Sequence, residues 1–172
     1  MADIKENPMR EVKIEKVVLS IGGLAEELEK GYKLLEMITG RKPAKTRSRK
    51  RIPTFGIRPG LEIGAVVTIR GEEKEKLLRR LLAANENVVK KKQVSENSFS
   101  FGIHEYIEIP GLEYSRDIGT RGLDITVVFK RTGRRVRLRK IKTGRVPKRQ
   151  VITKEEIIKF MEDHFQTKFI GK

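Results

Sequence analysis

The chain has 172 residues, with 39 Lys and Arg against 23 Asp and Glu, a formal net charge of +16 and a pI near 10.2. Cysteine is absent, which removes disulfides, thiolate nucleophiles and thiolate metal sites. No apolar run approaches the roughly 20 residues a bilayer span needs, and the start, MADIKENPMRE, has no apolar signal-peptide core. These features predict a soluble intracellular chain, with residues 1–172 forming one domain around a sizeable core. A polyanion is the expected partner and a membrane is not.

The charge is concentrated. Met37 to Leu61 holds eight basic residues and no acid, and Ile125 to Lys154 holds twelve and no acid. The remaining 117 residues sum to −4, a mildly acidic globule. Surface ion-pair networks mix signs. These windows do not, so they read as segments held against nucleic acid.

In chain order, Arg10 to Ile21 becomes β-branched and apolar and predicts a strand ended by Gly22-Gly23. Glu26 to Thr39 places Leu28, Tyr32, Leu35 and Ile38 at helical spacing, with Gly40 as the C-terminal cap. Pro43 to Ser48 reads as extended. Arg49 to Glu62, with two Pro and two Gly, reads as a long loop. Ile63 to Arg70 predicts a strand, and Glu72 to Lys92 a long amphipathic helix. Ser98 to Ile109 predicts a strand with a bulge at Gly102, followed by a loop over Pro110 to Gly122. Leu123 to Arg131 predicts another strand, and Arg134 to Lys142 a basic hairpin or arm. Thr153 to His164 predicts a final helix, with Thr153 and Glu156 forming a capping box. The expected class is α+β: an antiparallel sheet with helices packed on one face and the other face open.

Little here suggests catalysis. His104 and His164 stand alone, no zinc, calcium or phosphate-loop motif occurs, and the Glu pairs 26/27, 72/73 and 155/156 fall in first turns of helices, where carboxylates suit the dipole. No cofactor, metal or catalytic residue is expected. The loop RSRKRIPTFGIR is more informative. Arg47, Arg49, Lys50, Arg51 and Arg58 surround Phe55, combining phosphate forks with a ring able to stack on a base. In the arm, Arg134, Arg135, Arg137, Arg139, Lys140, Lys142 and Arg145 suit phosphate contacts that position rather than specify. Thr46 and Thr68 offer short hydroxyls on an open sheet face. Threonine is also simply a good strand former, and the pattern alone leaves both readings open.

The stretches IEKVVLSIG, ITGRKPAKTRSRKRIPTFGIRPGLEIGAVVTIRG and FSFGIHEYIEIPGLEYSRDIGTRGLDITV, in this order and spacing, resemble the large-subunit ribosomal protein five family, the 5S rRNA binder of the central protuberance. The arm and last helix, Gly133 to Phe165, resemble its archaeal and eukaryotic form. The resemblance implies a structural ribosomal protein in the cytoplasm, not an enzyme. It implies a sheet surface on 5S rRNA, contact with 23S rRNA, and a projecting loop (47–64) approaching P-site tRNA. A bridge to small-subunit ribosomal protein thirteen and contacts with neighbouring large-subunit proteins of the central protuberance are implied too. Carried onto this sequence, the 5S rRNA contacts are Ser20, Arg41, Lys42, Thr46, Thr68 and Arg70; the basic arm (133–150) faces rRNA. Two positions depart from the commonest pattern of the family. Ser20 replaces an Asn, keeping a hydroxyl but losing two-sided amide bonding, and Arg41 replaces a Gln, exchanging a neutral reader for a phosphate binder.

Overall fold

The computed structural model describes residues 7–171. The first six residues, part of the start that carries no apolar signal-peptide core, lie outside them. The strands are β1 (Lys13–Gly22), β2 (Ala44–Arg47), β3 (Glu62–Ile69), β4 (Val88–Lys90), β5 (Val94–Ser95), β6 (Ser98–Ile103), β7 (Leu123–Lys130) and β8 (Lys168–Ile170). The α-helices are α1 (Glu26–Thr39), α2 (Glu73–Ala84), α3 (Arg135–Leu138) and α4 (Lys154–Phe165). Six strands form an antiparallel sheet in the order β2-β3-β1-β7-β6-β5, and β4 pairs in parallel with β8. This is the expected α+β class.

The sheet is two-faced because its strands alternate. Val17, Leu19 and Ile21 of β1, Val67 and Ile69 of β3, Phe99 and Phe101 of β6, and Ile125, Val127 and Phe129 of β7 are all buried. They join one apolar cluster with Leu34 and Leu35 of α1, Leu78 and Leu81 of α2, and Ile157 and Met161 of α4. Phe129 stacks against Phe99 at 5.9 Å and meets Phe160 of α4 edge-on at 5.6 Å. The alternate strand residues point away from all three of these helices.

α1 has its predicted bounds, with Gly40 in the left-handed region at φ 63° and its N–H donating to the Glu36 carbonyl. The capping box of α4 also forms: Glu156 N–H donates to the Thr153 hydroxyl, and Thr153 N–H to the Glu156 carboxylate.

Four expectations change. The helix expected over Glu72 to Lys92 stops at Ala84. Glu86 and Asn87 take positive φ, and the Asn87 carbonyl accepts from Lys168 N–H at 2.8 Å, so the chain turns into β4 and pairs with the C-terminal strand. The strand expected over Ser98 to Ile109 ends at Ile103, and Tyr106–Glu108 forms a 3-10 turn with Tyr106 fully buried. Gly102 is not a bulge, since its register against Asp124 is unbroken; the irregularities fall at Glu15 of β1 and between Thr46 and Arg47 of β2. Of the hairpin or arm expected over Arg134 to Lys142, the hairpin does not form: the segment begins as a single helical turn, α3.

Asn97 fastens the base of the arm. It lies in the turn between β5 and β6 at φ 60°, a conformation Asn tolerates. Its carbonyl accepts from Phe129 N–H before the arm, at 2.8 Å. Its side-chain oxygen accepts from Ile152 N–H after the arm, at 3.0 Å. Asn97→Ala therefore strands the amide of a fully buried residue. The expected loss is about 1–3 kcal/mol of unfolding free energy, read by urea denaturation, while Asn97→Asp, which keeps an acceptor, should recover most of it.

Candidate nucleic-acid interface

The register of five neighbouring strands, β2, β3, β1, β7 and β6, assembles the outward face in rows. Thr46, Gly64 and Gly22 make one row. Ala44, Val66, Ser20, Asp124 and Gly102 make the next, followed by Thr68, Val18, Thr126 and Ser100, then Lys16, Val128 and Ser98. Nearly every residue is small, hydroxyl-bearing or a short aliphatic, and the charged ones, Lys16 and Asp124, lie in different rows. Arg70 follows β3 in the same parity and is exposed. The Thr126 and Ser100 hydroxyls share a hydrogen bond at 3.0 Å, and the Thr46 hydroxyl donates to the Gly64 carbonyl at 3.1 Å. The Cβ that Gly64 lacks would lie 2.9 Å from the Thr46 oxygen, so glycine is required for that hydroxyl to lie flat. A shallow depression of about 460 Å³ opens where Ser20, Gly22, Gly102, His104, Arg121 and Asp124 meet.

Of the sheet residues expected at the site, Ser20, Thr46 and Thr68 lie on this face, with Arg70 at its border. Lys42 is exposed ahead of β2. Arg41 stands apart, its guanidinium paired with Glu73 at the start of α2. The structure adds Val18, Gly22, Gly64, Ser100, Gly102, Asp124 and Thr126 to the face. Strand alternation hinted at them, but only the register shows that they are neighbours.

The basic loop leaves the end of the sheet where Gly22 meets Gly64. It is tied by its own backbone. Ser48 N–H donates to Leu61 and Gly60 N–H to Ser48, each at 2.8 Å, and Ile52 and Ile57 exchange bonds at 2.9 and 3.1 Å. A 3-10 turn over Pro53–Phe55 ends at Gly56 with φ 65°. Phe55, at this tip, is 67 % exposed. Arg49, Lys50, Arg51 and Arg58 are exposed around it. At the root, Glu62 lies 3.4 Å from both Lys45 and Arg47, and Lys45 also pairs with Glu29 of α1. The hydrogen bond to Glu29, ahead of the opposing desolvation, raises the Lys45 pKa above its ordinary value and keeps the ammonium charged.

The arm leaves the opposite end, where Lys13 pairs with Lys130. Nine residue steps of β1 separate the two ends, roughly 30 Å. Arg134 donates through Nη1 to Glu15 at 2.7 Å and to the Phe129 carbonyl at 3.2 Å. Arg139 donates to the Lys142 carbonyl at 2.6 Å, and Gly144 N–H to Val136 at 3.1 Å, so the arm doubles back on itself. Arg135, Arg137, Lys140, Lys142 and Arg145 are exposed, as are Leu138 and Ile141.

Among the described residues no three His, Asp or Glu side chains gather as a metal cluster. His164 packs on Phe160 at 4.4 Å. The arrangement offers shape, hydroxyls and fixed cations.

Two family models cover almost all of this architecture: ribosomal protein L5 over residues 7–58, and the C-terminus of the same ribosomal family over residues 62–160. The large ribosomal subunit protein uL5 of Nanoarchaeum equitans is 44 % identical over 168 residues, which is 96 % of this chain and 99 % of the relative. Its counterpart in Archaeoglobus fulgidus is 43 % identical over 91 % of this chain and 89 % of the relative. That of Pyrobaculum aerophilum is 41 % identical over 92 % and 90 %. The chain belongs to the ribosomal protein L5 family, in its archaeal form.

Proposed function

We propose that this chain, a structural protein of the large ribosomal subunit and not an enzyme, uses its open sheet face to hold 5S rRNA and its two cationic extensions to reach further RNA. The observation that carries the reading is the character of that face. It is open, nearly neutral and rich in short hydroxyls, and it lies between basic segments at opposite ends. Folded RNA presents sugar hydroxyls and phosphates on a shallow groove and is recognised largely by shape. Short side chains let the backbone of such a groove approach closely. The cations at either end supply the salt-dependent attraction.

The same reading assigns the loop, with Phe55 at its tip, to P-site tRNA, and the arm to 23S rRNA. Contacts with small-subunit ribosomal protein thirteen and with neighbouring proteins of the central protuberance complete the proposed setting. Residues 1–172 act in it as one RNA-binding unit. Phe55 supports the loop assignment because its ring is exposed on a hydrogen-bonded tip rather than folded into the core.

The pure protein should retain 5S rRNA on a filter in preference to a scrambled RNA of equal length at about 150 mM salt. Log affinity should fall with log salt by about 0.7–0.9 per phosphate neutralised. Equal retention of both RNAs contradicts the reading. Gly22→Leu is a cleaner probe, because no atom lies within 4 Å of the Cβ it adds. It should leave the unfolding midpoint nearly unchanged and weaken 5S rRNA binding tenfold or more, about 1.4 kcal/mol. Deleting residues 49–55 should have the opposite profile: 5S rRNA binding retained, tRNA-dependent function of reconstituted ribosomes impaired. Loss of 5S binding on that deletion would contradict the division between sheet and loop.

A further inference from the structure

A cavity of about 70 Å³ opens at the base of the arm, lined by Lys130, Arg131, Arg134 and Arg137 with Asn97 and Gln150. Its volume is more than twice the share one water takes in the liquid. Four cations around so small a space would repel one another, and the structure shows how they are held. Arg131 is paired with Glu156 of the α4 cap, and Arg134 with Glu15 at the bulge of β1. Among the described residues, Arg131 and Arg134 are each paired with a carboxylate here, while Lys130 and Arg137 also line the cavity, which keeps its lining cationic.

The geometry points to a preformed seat for one RNA backbone phosphodiester in this notch. The inference rests on the RNA-binding reading and deepens it by naming the group bound and the side chains that bind it. Arg134 is the centre of this seat. Its Nη1 hydrogens go to Glu15 and to the Phe129 carbonyl. Those bonds fix the plane of the guanidinium and leave its Nε–Nη2 edge, two parallel N–H donors of the kind that match two oxygens of a phosphate. Arg137, one helical turn on and exposed, adds a second cation to the same cavity. Asn97 bonds on both sides of the arm keep the notch from opening. Little side-chain ordering then remains to be lost on binding. Arg134 thus differs from the outer cations of the arm: Glu15 aims it.

The test follows the arginine Nε–H resonances of the full chain by NMR while titrating inorganic phosphate, then a short duplex RNA. Filter binding to 5S rRNA is measured on the same preparation. Both probes should shift Arg134 and Arg137 saturably, more than exposed Arg116, and the RNA should displace the phosphate. Arg137→Gln should weaken both effects at least threefold while 5S rRNA filter binding still exceeds that of scrambled RNA. If Arg134 and Arg137 move no more than Arg116, the seat does not exist, although the sheet reading survives wherever 5S binding persists. If phosphate saturates the site and RNA fails to displace it, the notch binds a free anion and the proposal is overturned. Glu15→Ala, which removes the acceptor, separates positioning from charge. It adds one positive charge, yet it should broaden or lose the Arg134 response, and an undiminished response contradicts the assigned role of Glu15.

Discussion

Everything in this protein depends on a sheet that buries only one of its faces. Period-two alternation sends Val17, Leu19, Ile21, Val67, Ile69, Ile125, Val127 and Phe129 inward, and the buried stripes of α1, α2 and α4 close over them. Fully burying one such side chain is worth about 1.5–3 kcal/mol, so many side chains resist any slip of register. A slip of one residue would turn the apolar set outward. The register that protects the core also fixes which residues meet on the open face. Packing on one side therefore sets the rows of Ser, Thr and Gly on the other, and a change at Leu19 or Phe129 would be felt across the sheet from where it was made.

Charge is organised around this scaffold by pairing at the roots and freedom at the tips. Lys45 and Arg47 at the base of the loop share Glu62, and Lys45 also takes Glu29. Arg131 and Arg134 at the base of the arm take Glu156 and Glu15. Beyond these anchors, Arg49, Lys50, Arg51, Arg135, Arg137 and Lys140 are exposed. The solvent-facing pairs at the loop contribute little stability individually, and the pairs at the arm are more buried, with Arg131 10 % and Glu15 17 % exposed. Their effect here is directional, since they hold each extension to the globule while its outer cations stay in solvent. The acidic side chains of the chain thus shape the basic ones.

Much of this was legible in the sequence. The bounds of α1, its glycine cap and the capping box of α4 follow from local chemistry, and the structure forms all three. The two basic windows and the two-faced sheet were also readable. The misses have a common cause, which is that long-range partners were invisible. Val88 to Lys90 continued a helical pattern, but pairing with Lys168 to Ile170 draws it into a strand. Gly102 suggested a bulge, yet its strand runs in unbroken register and the bulge falls at Glu15, which no local signal marked. Arg41 and Arg134 look like their neighbours in sequence, and only the fold brings Glu73 and Glu15 to them. Thr126 and Ser100 joined the open face only once β6, β7 and β1 were placed side by side.

Because the chain contains no cysteine, single cysteines can be introduced one at a time and the alkylation rate of each measured with and without 5S rRNA. Ser20→Cys, Thr68→Cys and Ser100→Cys should be shielded by 5S rRNA, whereas Glu36→Cys on α1 and Glu162→Cys on α4 should react at unchanged rates. Protection of the helix positions with the sheet positions still reactive would show that RNA binds the other side of the molecule, and would contradict the account.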